Sequence, residues 1–217
     1  AMGGTYVLFR RGWFAAGALG AVALAGLLMM PSRGSQIDAG EESAAGRVEA
    51  WYEGLHMFQA NPLFGVGTGR FTEYHYLTAH NSLVLVLAEN GIIGFTIWLA
   101  FVGYCFWMMV RILRHDPGFV EGEEEQAWDW IEDRRITLAL LVALVGFFTA
   151  AFFLSRSYVI LLYLLAALVV AHFSVVRDRN PDLPGFALSA HLVRWPVIAV
   201  AGVVALYVVV KVLLAMG

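Results

Sequence analysis

Residues 92–110 read IIGFTIWLAFVGYCFWMMV, nineteen consecutive positions without a charged side chain. At ~1.5 Å of rise per residue a helix of that length covers the ~30 Å hydrocarbon core of a bilayer. In lipid every backbone N–H and C=O must find its partner inside the segment, so the span is a helix. Just before it, Ser82–Ala88 is also apolar, and the two parts form one expected span, 82–110, interrupted by Glu89, Asn90 and Gly91. Outward in both directions lie four further apolar stretches, 13–30, 136–154, 158–176 and 196–215, each bounded by arginines, prolines or acidic residues. The composition agrees: charged residues make up 14% of the chain, where a soluble domain carries about 25%. The expected fold class is all-α, a polytopic integral membrane protein with about five transmembrane helices in a single membrane domain, 1–217.

The arginines orient it. With the amino terminus inside, Arg10, Arg11, Arg111, Arg114, Arg134, Arg135, Arg177, Arg179 and Arg194 fall on the cytoplasmic side and crowd the span ends. Arg33, Arg47, Arg70 and Arg156 fall outside, mostly in one long loop. That asymmetry follows the positive-inside rule. Loop 31–81 is therefore extracytoplasmic, the periplasm in a cell with an outer membrane. Loop 111–135, with its acidic EGEEEQAWDWIED, is an expected cytoplasmic connector. Lys211 stands near the outer end of the last span, where its stem lets the ammonium reach the interface. Cys105 is the sole cysteine, which excludes a disulfide framework. Residues 1–9 lack the basic region of a cleavable signal peptide, and the chain is expected to be the carboxy-terminal half of a longer protein.

The long loop is the unusual part. Loops between spans are commonly short, whereas this one carries three arginines and three histidines, His56, His75 and His80. From Ser43, a good N-cap residue, the pattern is helical: Val48, Trp51, Leu55 and Phe58 form one apolar stripe. The expected result is an amphipathic helix on the membrane interface with Trp51 and Tyr52 at headgroup depth, ended by Asn61-Pro62. Arg47 shares a face with Trp51. GVGTGR follows, a glycine turn whose amides, with Arg70, suit an anion.

Arg47 and Arg70 are candidate anion ligands because guanidinium is always charged and presents a planar fork to phosphate oxygens; a headgroup anchor is the plainer reading of each. Arg156, in the tight turn LSRS at 154–157, reads as an anchor on the same side as the large loop. His80 stands at the mouth of the second span, where imidazole is the side chain that exchanges protons near neutral pH. Its structural alternative is that His80-Asn81 only caps the helix. Glu89 in an apolar segment is costly unless paired and so is a functional candidate. The histidine spacing fits no zinc motif, and no metal or other cofactor is expected.

Three segments, SAAGRVEAW (43–51), NPLFGVGTGRF (61–71) and AHNSLVLVLAENGIIG (79–94), together resemble the O-antigen ligase and polymerase family of bacterial membrane glycosyltransferases. The resemblance implies metal-independent, inverting transfer of a glycan from undecaprenyl diphosphate to an acceptor hydroxyl, on lipid A-core or another glycan, at the outer face of the inner membrane. It further implies that His80 activates the acceptor and that Arg47 binds the donor diphosphate. Arg70, Trp51, Gly67, Asn81, Glu89 and Arg156 are expected around the substrates. Membrane lipids and the preceding transmembrane half are expected partners, and nucleic acid is not. Alternatives are a polymerase with the same donor, and a non-catalytic lipid-binding membrane module.

Overall fold

The computed structural model describes residues 38–118, 124–186 and 191–216. The regular elements among them are all α-helices: α1 (Asp38–Ala60), α2 (Phe71–Tyr74), α3 (Ser82–Arg114), α4 (Glu124–Phe153), α5 (Ile160–Arg179) and α6 (Arg194–Met216). The chain divides into two compact units, Ala1–Arg47 and Val48–Gly217. Of the first, the described residues are the opening turns of α1. The second contains everything that follows.

Among the described residues, α3 to α6 are the four helices long and apolar enough to cross a membrane. The fifth expected span, 13–30, lies outside the described residues. Within the second unit α3 is the central helix and packs against α4, α5 and α6. Half of its apolar window is buried, against 22%, 28% and 17% for the other three. Among the described residues those three leave long apolar stripes uncovered. Ile160, Leu164 and Leu168 on α5 and Val200, Val204 and Val208 on α6 are 55–75% exposed. In water such stripes would be a severe liability at ~25 cal/mol per Å²; in hydrocarbon they cost nothing.

Local chemistry sets the helix ends. Asn81, in extended backbone, caps α3 by accepting from the Leu83 and Val84 amides at 2.9 and 3.1 Å. Arg111 and Arg114 occupy the last turn, where the helix dipole favours cations, and Asp116-Pro117 follows. At that end Arg179 on α5 pairs with Asp133 (2.8 Å) and Asp129 (3.3 Å) on α4. Arg194 lies 4.1 Å over the Trp107 ring, a cation–π contact that ties α6 to α3.

Three expectations are corrected. The connection 111–135 is mostly helix, because α3 continues to Arg114 and α4 is formed from Glu124 onward. Charged residues end an apolar run without ending a helix: Glu, Gln, Ala and Arg are good helix formers, and this segment buries Trp130 and Asp133. The spans read as 82–110 and 196–215 accordingly fall inside α3 and α6, while those read as 136–154 and 158–176 overlap α4 and α5, with Leu154, Tyr158 and Val159 left in the turn between them. Ser43 does not cap the loop helix, since α1 is already helical at Asp38. Finally, the α1 stripe expected to meet lipid meets protein. Trp51 and Leu55 are 8% and 2% exposed in a core shared with Phe71 and Val84. A Cβ on Gly54 would stand 2.5 Å from Val84 Cγ1, so glycine is what lets α1 lie this close to α3.

Candidate functional site

The mouth of α3 is stapled to the α4–α5 turn by a ladder of hydroxyls. Ser82 Oγ donates to the Leu154 carbonyl (2.8 Å) and accepts from the Arg156 amide (2.9 Å). Ser157 Oγ donates to the Ser82 carbonyl at 3.0 Å. The Thr78 and Ser155 hydroxyls share a bond of 2.9 Å. His80 is thus held between two anchored neighbours. It is half-buried and lies at φ 48°, the one non-glycine residue with positive φ among those described. His is among the residues that tolerate this left-handed region, at a cost of about 1 kcal/mol. Its ring takes part in no hydrogen bond among the described residues. The ladder brings the Arg156 backbone two residues away from His80, and the Arg156 side chain is exposed without an ion pair among the described residues. Trp51 contacts Phe152 edge-on at 5.9 Å, beside the same turn. The Trp51 indole N–H and Asn81 Nδ2 are buried without a hydrogen-bond partner among the described residues.

Asn81→Ala is expected to lower stability by about 1–2 kcal/mol through loss of both cap bonds, with Asn81→Ser retaining most of it, as read by thermal unfolding in detergent.

A second group of expected site residues lies along α3, eight residues beyond Asn81 and so ~12 Å further up the axis. There α3 is broken. Gly91 has φ 61°, ψ −166°, a conformation open essentially to glycine alone. The break releases the carbonyls of Ala88 and Glu89 and the amides of Ile92 and Ile93, the two pairs an unbroken helix would join. The loop after α1 takes up all four. Val66 and Gly67 amides donate to the Ala88 and Glu89 carbonyls (both 2.9 Å), while the Ile92 and Ile93 amides donate to Pro62 and Leu63 (2.9 and 3.3 Å). NPLFGVG and AENGIIG are therefore two halves of one backbone clip.

This clip changes the reading of three residues. The Gly67 amide is engaged with Glu89, and those of Gly65 and Arg70 with Asn61 and Gly67, so these amides do not form an open anion nest. Glu89 is buried, and its Oε1 accepts from the Phe71 amide at 3.2 Å, which places a carboxylate at the start of α2. Arg70 is exposed and bound to Glu73 at 2.7 Å.

Sequence reading missed Asn90 and Tyr158. Asn90 donates to the Tyr158 hydroxyl and accepts from Thr68 at 2.7 Å. Partial burial, and then the nearby Glu89 carboxylate, push the Tyr158 phenol above its ordinary range. Asn90 sat beside Glu89 in the visible interruption of the span; nothing marked Tyr158. Arg47, the last residue of the amino-terminal unit, is exposed on α1 with no ion pair among the described residues.

Residues 4–99 match the Wzy_C family model, whose description is O-antigen ligase. The match is to the O-antigen ligase family. It is consistent with a carboxy-terminal domain of that family, as the three quoted segments imply. The O-antigen ligase match takes in α1, α2, the clip and the His80 junction and ends within α3; α4 to α6 lie beyond it. No curated protein and no solved structure matches the chain.

Proposed function

We propose that this protein transfers a glycan from undecaprenyl diphosphate to an acceptor hydroxyl at the extracytoplasmic face of the bacterial inner membrane, by a metal-independent inverting displacement. The observation carrying the proposal is His80: an imidazole with no hydrogen-bond partner among the described residues, at a span mouth, within the segment matched to O-antigen ligase. In the reaction the acceptor O–H loses its proton to His80 as oxygen attacks the anomeric carbon. The bond from that carbon to the diphosphate breaks, and the diphosphate leaves with the electron pair. Charge grows on the leaving oxygens, so cations positioned there lower the barrier. Arg47 and Arg156 are the proposed cations, and Arg70 becomes available only by releasing Glu73.

Donor titration of the purified, reconstituted protein tests the assignment of Arg47. Arg47→Ala is expected to raise the donor KM about tenfold or more, the scale of one lost charge-assisted contact, with acceptor KM unchanged. An unchanged donor KM removes Arg47 from the site. Acceptor analysis in a deletion strain separates two outcomes: uncapped lipid A-core beside intact polymer is the ligase, and single-repeat glycan is the polymerase.

A further inference from the structure

A cavity of about 220 Å³ separates α1 from α6, lined by Tyr52, Leu55 and His56 on one side and Tyr207, Val210 and Lys211 on the other. A second, open groove of about 360 Å³ runs along α6 past Val203, Val204 and Val208 and shares Tyr207 and Lys211 with the first. The two form one continuous surface with an apolar lower part and a polar top. Lys211 follows Arg194 by 17 residues on α6, ~25 Å along the axis. That distance carries it from one membrane face to the level of the other. No carboxylate lines either hollow, and Lys211 has no ion pair among the described residues. The Tyr52 and His56 rings lie 4.4 Å apart on the opposite wall.

We infer that this seam binds an anionic membrane phospholipid, with its phosphodiester on Lys211, His56 and the two tyrosines and an acyl chain in the valine groove. Charge complementarity selects the occupant. One ammonium matches the single negative charge of a phosphodiester, whereas a diphosphate would bring more charge than one lysine balances. The polar top offers donors suited to phosphate oxygens, and the valines offer the groove that an isolated anion would not need. The inference requires only that the helices stand in a membrane and is independent of the transferase reading.

The test uses the whole chain reconstituted in phosphatidylcholine vesicles containing a minor fraction of photoactivatable phosphatidylglycerol, with labelled peptides identified by mass spectrometry. Labelling is expected on α1 around Tyr52–His56 and on α6 around Val204–Lys211, in excess over the same probe built on phosphatidylcholine. Lys211→Gln should reduce that excess about tenfold, the scale of a lost charge-assisted contact, while Lys211→Arg retains it. Val204→Trp should reduce labelling by both probes, and it tests the groove even where a lysine variant fails to fold. Equal labelling by the two probes, or labelling indifferent to Lys211→Gln, overturns the inference. So does displacement by free phosphate, which would mark a soluble-anion site, or by undecaprenyl diphosphate at lower concentration than phosphatidylglycerol, which would mark a donor site. Cross-linking of the seam to residues 13–30 overturns it too, because the chain itself would then cover the groove.

Discussion

A His80→Ala protein is expected to insert in the membrane and unfold at nearly the parental temperature while its transfer rate falls by about 10²–10⁴-fold, the usual contribution of a general base. The two halves of that result have separate causes. The ring makes no hydrogen bond among the described residues, so its removal strips little from the fold. What the fold does feel is the backbone, because φ 48° suits alanine less well than histidine by some tenths of a kcal/mol. His80→Gly separates the two. Glycine accepts the left-handed backbone, so this variant should be as inactive as His80→Ala yet no less stable. If a well-folded His80→Gly protein still transfers glycan at the parental rate, the imidazole is not the base, and the residue serves only to turn the chain into α3. Thr78→Ala provides the complementary probe: it breaks the bond to Ser155 (2.9 Å) beside His80 without touching the ring, and a positional role for the ladder would lower kcat while leaving KM near its parental value.

The spans were legible because lipid poses a one-dimensional question. A backbone without water must satisfy itself, and a run of about twenty apolar residues answers at once. Their ends were less legible, since Glu124 to Arg135 extend α4 by three turns in a stretch where charged residues outnumber Trp128, Trp130 and Ile131 and break the apolar run. The Asn81 cap could be read because a side chain performs it. The clip could not, because its bonds are backbone to backbone between segments some 25 residues apart, and backbone pairing leaves only glycines as its trace. That is why the sequence showed nothing of the part that Gly65, Gly67 and Glu89 play in the clip. The exposed Arg70–Glu73 pair stood at a visible i, i+3 spacing and carries little energy. Tyr158 gave no sign, for its place beside Asn90 exists only once α3 and the α4–α5 turn are side by side.

Gly91→Ala is the substitution expected to damage the fold most. A Cβ there would stand 2.4 Å from both C and O of Leu63 and 2.6 Å from the Phe64 nitrogen, so the obstacle is backbone and not a side chain able to swing away. Gly65 presents the mirror case: its Cβ would meet Glu89 C at 2.4 Å and Ala88 O at 2.5 Å. Each glycine also has positive φ, 61° and 68°. Opening the clip leaves two carbonyls and two amides of α3 without partners, in a helix that enters hydrocarbon where water offers no replacement. Strain and lost bonds together place the cost at about 3 kcal/mol or more for either variant. The double variant should cost little beyond the worse single one, because the first substitution already separates the surfaces. Gly69→Ala is the control. It has φ 79° but nothing within 4 Å of its Cβ, so it bears backbone strain alone, about 1 kcal/mol. Thermal unfolding in detergent, with limited proteolysis of 61–70, reads all four proteins. Should Gly91→Ala melt together with Gly69→Ala, the close approach of the two segments is not what holds α3 at its break. Should it melt far below while keeping some transfer in the cold, the clip is a support for the His80 mouth some ten residues away and not part of the chemistry.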